Sequence, residues 1–431
     1  MQWFKNTFKH LPLAIIANLI NGFPAKKLVT TGVVGTDGKT TTSTLIYHLL
    51  SSKEKTGLVS TIEAKIENKI YPTGSHVTSP NPFVLFKFLK LMVRKGIKQA
   101  VLETTSHGLD QHRFWGIKFD FGVLTNITHE HLDYHKTYAN YLSAKYALLK
   151  KSKIAIINKD DQSYKEIEKK LRSDHIKHLT YAIKQKADYV AKNIKYGHNS
   201  TTFTVVNSDS QFQVTTNLIG EYNVYNCLAA IAAVKSNLGQ SNKEIADSLL
   251  NFSPPKGRME KVKNNKGLTL IIDFAHTPNA LKQVLKTIKN NYPNKKIIAL
   301  FGSAAKRDIE KRPMMGKIAA DYADNIVLTS EDPRKENPEK IIEQIAKGSI
   351  KGGMEKLNTN EYRKAKNNKN KYFFSIPNRQ EAISFAVRKL ADKGDLIIFL
   401  GKGHEDSICY GDKEYPWSEK QAIETALEEK A

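Results

Sequence analysis

Seven consecutive residues, Gly35-Thr36-Asp37-Gly38-Lys39-Thr40-Thr41, have the make-up of an anion cradle. Glycines let backbone N–H groups come close to a phosphate, and a helix that starts at the loop adds its dipole. Lys39 is placed to contact β- and γ-phosphates, and the Thr40 hydroxyl to reach Mg²⁺. The text stops short of the full G-x-x-x-x-G-K-[ST] pattern because position 33 is Val. The strand before the loop and the helix after it therefore carry the reading of a nucleotide site.

A second group of reactive side chains lies further along. Glu103 ends an apolar run in VLETTSHGLDQHR, and LTNITHEHLDYH at 124–135 packs three histidines, two carboxylates and Asn126 into a dozen residues. A carboxylate at the end of a buried strand faces the crevice where ligands bind in open α/β sheets. Hard oxygen donors suit Mg²⁺, crowded imidazoles suit zinc, and a polar structural loop is the third alternative. The neighbouring phosphate loop favours Mg²⁺. The two cysteines, Cys227 and Cys409, can build neither a disulfide framework nor a four-thiolate zinc site, and they fit a reducing, cytoplasmic setting.

These groups need elements to position them. Leu28–Val34, Ala100–Glu103, Phe121–Thr125 and Ile154–Asn158 read as buried strands, Thr40–Ser52 and Asn223–Ser236 as helices, and Thr201–Val214 as a hairpin turning at NSDS. Ser253-Pro254-Pro255-Lys256-Gly257 reads as a linker. Beyond it, strands are expected at Leu268–Phe274, Ile297–Phe301, Asn325–Thr329, Tyr372–Ile376 and Asp395–Leu400. Helix starts are signalled by Thr277-Pro278, Asn337-Pro338-Glu339, and Asn378 with Glu381. Alternating strands and helices predict an α/β fold: a central P-loop ATPase-like domain with a mostly parallel sheet over 28–254, and a C-terminal Rossmann-like α/β domain over 255–431.

Residues 1–27 stand apart as an apolar segment. It is too short to cross a bilayer and is followed by no small-residue cleavage pattern. It reads as a helix packed on the first domain, or as an interfacial helix with Trp3, Phe4 and Phe8 beside Lys5 and Lys9 making a weak membrane-surface contact through residues 1–23. The 431 residues carry 67 Lys+Arg against 43 Asp+Glu, a balance of +24 that attracts anions. The lysines are scattered, and no basic patch interleaved with aromatics marks a nucleic-acid partner. Lys364–Lys371 reads as a solvated loop.

GTDGKTTT, TSP at 78–80, ETTSHGL, TNITHEHLDYH, YLSAK, INKDD, GEYNVYNCLAA, GRME, DFAHTPNAL, FGSAAKRDIEKRPMMG, TSEDPR and GKGHE, in that order over residues 30–420, resemble the Mur ligases, and most closely the MurE type. The resemblance implies an ATP-dependent, amide-forming enzyme of peptidoglycan synthesis. Such an enzyme adds a diamino acid to the D-glutamate of a muramoyl-dipeptide precursor through an acyl phosphate. It implies ATP and Mg²⁺ as cofactors. It places ATP on Gly35–Thr41, Asn226, Arg258, Asp273 and His276, and the metal on Thr40, Glu103, His131 and a carbamylated Lys145. Taken without the family, a lysine on a helix such as Lys145 is a solvated charge. Lys39, His131 and Lys145 take the catalytic roles, and Thr78, Ser79, Thr104, Thr105, Ser106 and Arg113 contact the growing peptide.

In the amino-acid pocket, the resemblance lets Arg334 of TSEDPR grip the far carboxylate of meso-diaminopimelate, with Gly401 and Glu405 at the same end. Glu331 and Asp332 replace the family's Asp and Asn, and Asp332 adds a negative charge beside the pocket. Glu130 replaces an Asp, and FGSAAKRD a more glycine-rich segment. Family members carry on the order of 100 further residues ahead of the loop, a domain that binds the UDP end of the precursor. Only the apolar segment before Lys27 stands in its place here, so that domain is expected to be missing. The acceptor then binds without nucleotide recognition, a partner chain supplies that function, or a Mur-superfamily ligase acts here on a different, non-UDP acceptor.

Overall fold

The computed structural model describes residues 6–74, 79–128, 130–305, 308–367 and 370–428. The chain divides into two compact units, Met1–Ser253 and Pro254–Ala431.

The first unit is built on an eleven-stranded sheet: β1 (Val29–Val34), β2 (Thr56–Val59), β3 (Ala64–Ile66), β4 (Lys69–Tyr71), β5 (Gln99–Glu103), β6 (Phe119–Leu124), β7 (Ser152–Asn158), β8 (Lys177–Ala182), β9 (Tyr189–Tyr196), β10 (Thr201–Val206) and β11 (Gln211–Thr216). Its order is β11-β10-β9-β8-β7-β6-β1-β5-β2-β3-β4. The run β8-β7-β6-β1-β5-β2 is parallel throughout, as expected where helices connect successive strands. β10 and β11 pair antiparallel, forming the hairpin that the alternation around NSDS predicts.

Successive residues of β1 face opposite cores. Val33 joins Leu45, Ile46 and Leu49 of the Lys39–Ser51 helix together with Ala229, Ala230 and Ile231 of the Glu221–Leu238 helix. Val34 joins Phe86 and Leu89 of the Pro82–Arg94 helix and Tyr141 and Leu148 of the Tyr138–Lys150 helix. A sheet covered on both faces favours apolar strands, and β5 runs through buried Ala100, Val101 and Leu102 before it ends on Glu103.

The N-terminal segment forms a helix, Leu11–Ile20, that packs on the first unit through buried Ala14, Ala17 and Asn18. Asn18 Nδ2 donates to the Trp115 carbonyl at 3.2 Å, and Asn6 Nδ2 to Asp110 Oδ2 at 2.7 Å. Trp3, Phe4 and Lys5 lie outside the described residues. Among the described residues no helix is long and apolar enough to cross a membrane.

The second unit holds β12 (Glu260–Val262), β13 (Thr269–Asp273), β14 (Ile297–Phe301), β15 (Asn325–Leu328), β16 (Glu355–Lys356), β17 (Tyr372–Ser375) and β18 (Leu396–Leu400) in the order β12-β13-β18-β14-β15-β17-β16. All pairs are parallel except β12 with β13. A separate hairpin, β19 (Ser407–Tyr410) with β20 (Lys413–Pro416), follows. The expected helix starts are capped: Thr277, Asn337 and Asn378 each accept a hydrogen bond from the first helical turn. Lys364–Lys371 departs from the expected loop, since Tyr362–Asn367 is helical.

A buried ion pair braces this sheet. Arg379, 1% exposed, gives two bonds to Glu419, at 2.9 and 2.5 Å, and donates to the carbonyls of Ser330 and Leu400, both at 3.0 Å. Arg379→Ala leaves the Glu419 carboxylate buried and unpaired. Chemical denaturation of the variant should show a loss of about 3–5 kcal/mol. Unchanged stability would mean that the pair is dispensable to the second unit.

Candidate functional site

In the first unit the site forms where β5, β1 and β6 end. The loop leaving β1 is held by the residues that follow β6. Thr36 N donates to the Asn126 carbonyl at 2.9 Å and Asp37 N to Asn126 Oδ1 at 3.0 Å, while Asn126 Nδ2 and the Thr125 hydroxyl return bonds to the Asp37 carbonyl at 3.1 and 2.7 Å. Gly38 sits in the left-handed region at φ 81°, and a Cβ there would come within 2.5 Å of Asn226 Oδ1. Asn226 is buried, accepts from the Thr42 hydroxyl at 3.2 Å and leans on Asn223 at 2.9 Å. Lys39 turns back on its own loop, Nζ to the Thr36 carbonyl at 2.7 Å.

The Thr40 hydroxyl donates to Glu103 Oε1 at 3.0 Å. Glu103 is buried at the end of β5 and also accepts from the Thr61 hydroxyl at 2.7 Å and the Thr61 amide at 3.0 Å. Two hard oxygen donors thus stand side by side at the mouth of the loop, which fits Mg²⁺. Among the described residues no three His, Cys, Asp or Glu side chains form a metal-holding group. The zinc alternative therefore has no such group behind it among those residues.

Lys145 overturns the reading of a solvated lysine. It is 1% exposed, and its Nζ lies 4.3 Å from the centre of the Tyr141 ring. Burial, then the charge of Lys39, pushes its ammonium well below the ordinary lysine range, against the pull of Asp37, Asp161 and Glu130. His131 occupies a left-handed backbone at φ 58°. Its ring meets His107 edge-on at 4.8 Å and Tyr141 at 6.1 Å, and its Nδ1 is 4.0 Å from Glu130 Oε1. Glu103 is held by Thr40 and Thr61, whereas His131 shares the Tyr141 ring with Lys145.

The residues expected to contact the peptide separate into two sets. Ser79 Oγ and Thr105 Oγ1 lie 3.0 Å apart, and Thr105 caps the Ser106–Asp110 helix. Arg113 donates to the Ser79 carbonyl and to Gln111. Ser106 is buried beside them. Thr104 stands apart: it is fully buried and its hydroxyl bonds the Val33 carbonyl at 3.0 Å, tying β5 to β1. Thr78 lies outside the described residues.

The second unit has its own polar cluster at strand ends. Asp273, buried at the end of β13, accepts from the amides of Met259 and Ala275, both at 2.8 Å. Phe274 is ringed by the Arg258 guanidinium at 4.7 Å and by His276 and His404 at 4.6 and 4.8 Å. Burial lowers both imidazoles to about 3, helped by Lys311 at His276 and by Arg258 at His404.

Beside this cluster Lys402, fully buried, bonds Asp332 Oδ1 at 3.0 Å and Glu405 Oε2 at 2.6 Å. Burial alone would lower its ammonium, but Glu405 and Asp332 outweigh that and hold it above the usual lysine range. Asp332 Oδ1 also accepts from the Cys409 amide at 3.0 Å. The carboxylate at position 332 therefore shares one buried ammonium with Glu405, so its added negative charge is answered in part. Lys402 stands inside GKGHE, but only its burial between two acids shows what it does.

Arg334 adopts a left-handed backbone at φ 48°, and its main chain is stitched to the β19–β20 hairpin by the Cys409 carbonyl at 2.9 Å and the Gly411 amide at 2.7 Å. Its Nε is buried without a hydrogen bond among the described residues, a guanidinium left with capacity for an anion. Gly401, at φ 100°, faces Glu331; a Cβ there would lie 3.3 Å from Glu331 Oε2. Glu331 is buried, and desolvation lifts its carboxyl to about 7 against the pull of Lys311.

Comparison with known proteins agrees with both halves. The Mur ligase middle domain matches residues 33–234, and the glutamate ligase domain of Mur ligases residues 257–403. UDP-N-acetylmuramoyl-L-alanyl-D-glutamate–2,6-diaminopimelate ligase 1 of Clostridium acetobutylicum is 38% identical over 409 residues, covering 94% of this chain and 79% of that protein. UDP-N-acetylmuramyl-tripeptide synthetase of Borrelia garinii is 36% identical over 420 residues, covering 95% and 78%. A solved structure of a UDP-N-acetylmuramoyl-L-alanyl-D-glutamate–2,6-diaminopimelate ligase superposes with a TM-score of 0.63 at 30% identity, covering 95% of this chain and 81% of that one.

The Glu331 environment makes a pH-dependent prediction. A carboxyl raised from 4.5 to about 7 keeps its proton in the folded chain after the unfolded chain has lost it. Stability is thus drained between those values as pH rises, and the deficit is constant above them. Glu331→Gln removes that deficit. Denaturation from pH 4 to 8 should show the variant equal to the parent at the acid end and progressively more stable toward pH 7, by on the order of 1–3 kcal/mol. A difference that stays flat with pH would show that Glu331 titrates normally.

Proposed function

The chain belongs to the Mur ligase family, and from that premise we propose that it joins a diamino acid, meso-diaminopimelate, to the D-glutamate carboxylate of a muramoyl-dipeptide, with conversion of ATP to ADP and inorganic phosphate. A carboxylate is a poor electrophile because its oxide is a poor leaving group. Transfer of the γ-phosphoryl to it makes an acyl phosphate. The amine then attacks the acyl carbon, and the tetrahedral adduct collapses to an amide and inorganic phosphate. The observation that carries this reading is the Thr40–Glu103 contact at the mouth of the phosphate loop, two oxygen donors 3.0 Å apart where a nucleotide's phosphates would end.

Lys39 leaves the Thr36 carbonyl and takes the β- and γ-phosphate oxygens, where its charge offsets that of the transferring group. Gly35–Thr41 and Asn226 cradle the nucleotide, and Arg258, Asp273 and His276 take its adenosine end. Thr40 and Glu103 hold a magnesium ion, which when bound neutralises the phosphate oxygens. Ser79, Thr105, Ser106 and Arg113 grip the peptide. The buried, low-pKa amine of Lys145 is the neutral form that takes up CO₂ as a carbamate, giving His131 and Lys145 together a second metal-holding pair. In the second unit Arg334 grips the far carboxylate of the diamino acid in a two-pronged bond that Lys cannot imitate, and Glu331, Glu405 and the Gly401 carbonyl take the ammonium beside it.

Phosphate release with ATP, Mg²⁺ and UDP-N-acetylmuramoyl-dipeptide, varying the amino acid, tests the whole proposal: diaminopimelate should be turned over and lysine should not. Arg334→Ala should cut kcat/KM for diaminopimelate by roughly 10- to 100-fold and leave lysine little changed. Selectivity that survives the substitution removes Arg334 from the pocket. Turnover confined to a nucleotide-free acceptor would reassign the acceptor but keep the chemistry.

Lys145→Ala should lower turnover on the order of 100-fold. With ¹³C-bicarbonate the parent should show a carbamate carbon by NMR that the variant lacks, and its activity should fall when CO₂ is stripped. No such resonance, with activity indifferent to CO₂, would leave Lys145 as an unmodified lysine.

A further inference from the structure

The Leu11–Ile20 helix carries an apolar surface on the side turned away from the protein. Its inward positions are small or polar: Ala14, Ala17 and Asn18 are buried. Its outward positions are Leu13, Ile16, Leu19 and Ile20, with Ile16 46% and Ile20 65% exposed, and Phe8 in the preceding turn is 62% exposed. A surface helix ordinarily shows the reverse arrangement. Asn18 and Asn6, bonded to Trp115 and Asp110, fix the orientation that leaves the large side chains outward.

The surround of this strip is basic. Lys9 is exposed in the turn that precedes the helix, Lys26 and Lys27 follow the helix, and Lys90 places its Nζ 3.4 Å from the Ile20 carbonyl, with exposed Lys87 one turn earlier. No acidic residue precedes Asp37 in the sequence. The strip is one helix of ten residues, about 15 Å long, narrow against the roughly 800 Å² that each partner gives to a standard protein interface. A short apolar ridge flanked by these lysines, with Asp110 engaged by Asn6 at 2.7 Å, is complementary to a sheet of acyl chains under anionic headgroups.

We propose that this face seats the enzyme on an anionic membrane surface, with Leu13, Ile16, Leu19 and Ile20 at the headgroup–acyl boundary and Lys9, Lys26, Lys27 and Lys90 against the phosphates. The helix lies in the surface and does not span it. This goes beyond the ligase reading and stands independently of it.

The test is flotation of the full chain with vesicles of phosphatidylcholine alone or with 30% phosphatidylglycerol, an amount on the order of natural anionic leaflets. The parent should float with the anionic vesicles and be released by salt. Ile16→Glu with Ile20→Glu, both at exposed positions, should weaken binding at least about tenfold while leaving the melting temperature unchanged. Absence of binding overturns the proposal. Binding undiminished by the two substitutions also overturns it, because the net charge alone would then be responsible. A dimer in solution abolished by the same substitutions would assign the face to a second copy of the chain and overturn it as well.

Discussion

Three parallel neighbours, β5, β1 and β6, set the terms for the first unit. Their carboxyl ends fall in one row, roughly 4.8 Å apart, and each delivers one part of the site: Glu103, the loop beginning at Gly35, and Thr125-Asn126. A loop that must keep its amides open to an anion cannot satisfy itself. Its shape has to be imposed from outside, and here the exchange of hydrogen bonds between Asp37 and Asn126, at 3.0 and 3.1 Å, imposes it. Because the residues after the neighbouring strand hold the loop, the side chains of Lys39 and Thr40 are not needed to bind it to β6; they turn to the Thr36 carbonyl and to Glu103.

The second unit solves a related problem with buried charge. The segments after β15 and β18 carry Glu331, Asp332 and Arg334 on one side and Gly401, Lys402 and Glu405 on the other. Arg379 bonds the Ser330 and Leu400 carbonyls at 3.0 Å each, one on either segment. Lys402 does the same with side chains, bridging Asp332 to Glu405. Buried ion pairs are weak evidence of stability in themselves. Their use here is positional: the two cross-links fix the spacing of the segments that follow β15 and β18.

The sequence was most legible where local rules and tertiary packing agree. Most strands fall within a residue or two of their expected ends, and Ile297–Phe301 on both of them, because an apolar run bounded by turn residues has few other fates in an α/β sheet. The phosphate loop was legible for the same reason. Lys145 was not: its sequence neighbours are those of an ordinary amphipathic helix, and only the wall formed by Tyr141 and the phosphate loop buries it. Thr104 shows the converse. It sits among residues that contact peptide in the family, yet the close approach of β1 takes its hydroxyl. The cation that Asp332 shares with Glu405, Lys402, is seventy residues away from Asp332 in the chain and could not be read beside it. Long-range pairing of buried ions leaves no periodic trace.

The electrostatic design works at two ranges. The chain as a whole carries +24, a field that favours phosphorylated and carboxylated molecules before contact. Beyond roughly 8 Å in physiological salt that field is screened, so it speeds encounter without choosing a partner. Choice falls to the buried groups, where screening fails. Around Glu331 the local composition is inverted, with three acids gathered within a basic protein, and desolvation lifts one of them to about 7. A pocket of that kind disfavours a second bare anion unless a cation answers it, and Arg334 and Lys402 are the cations at hand. On the proposed reading such a cluster would suit a zwitterionic end, with ammonium among the acids and carboxylate on the guanidinium, better than a ligand that offers only one of the two.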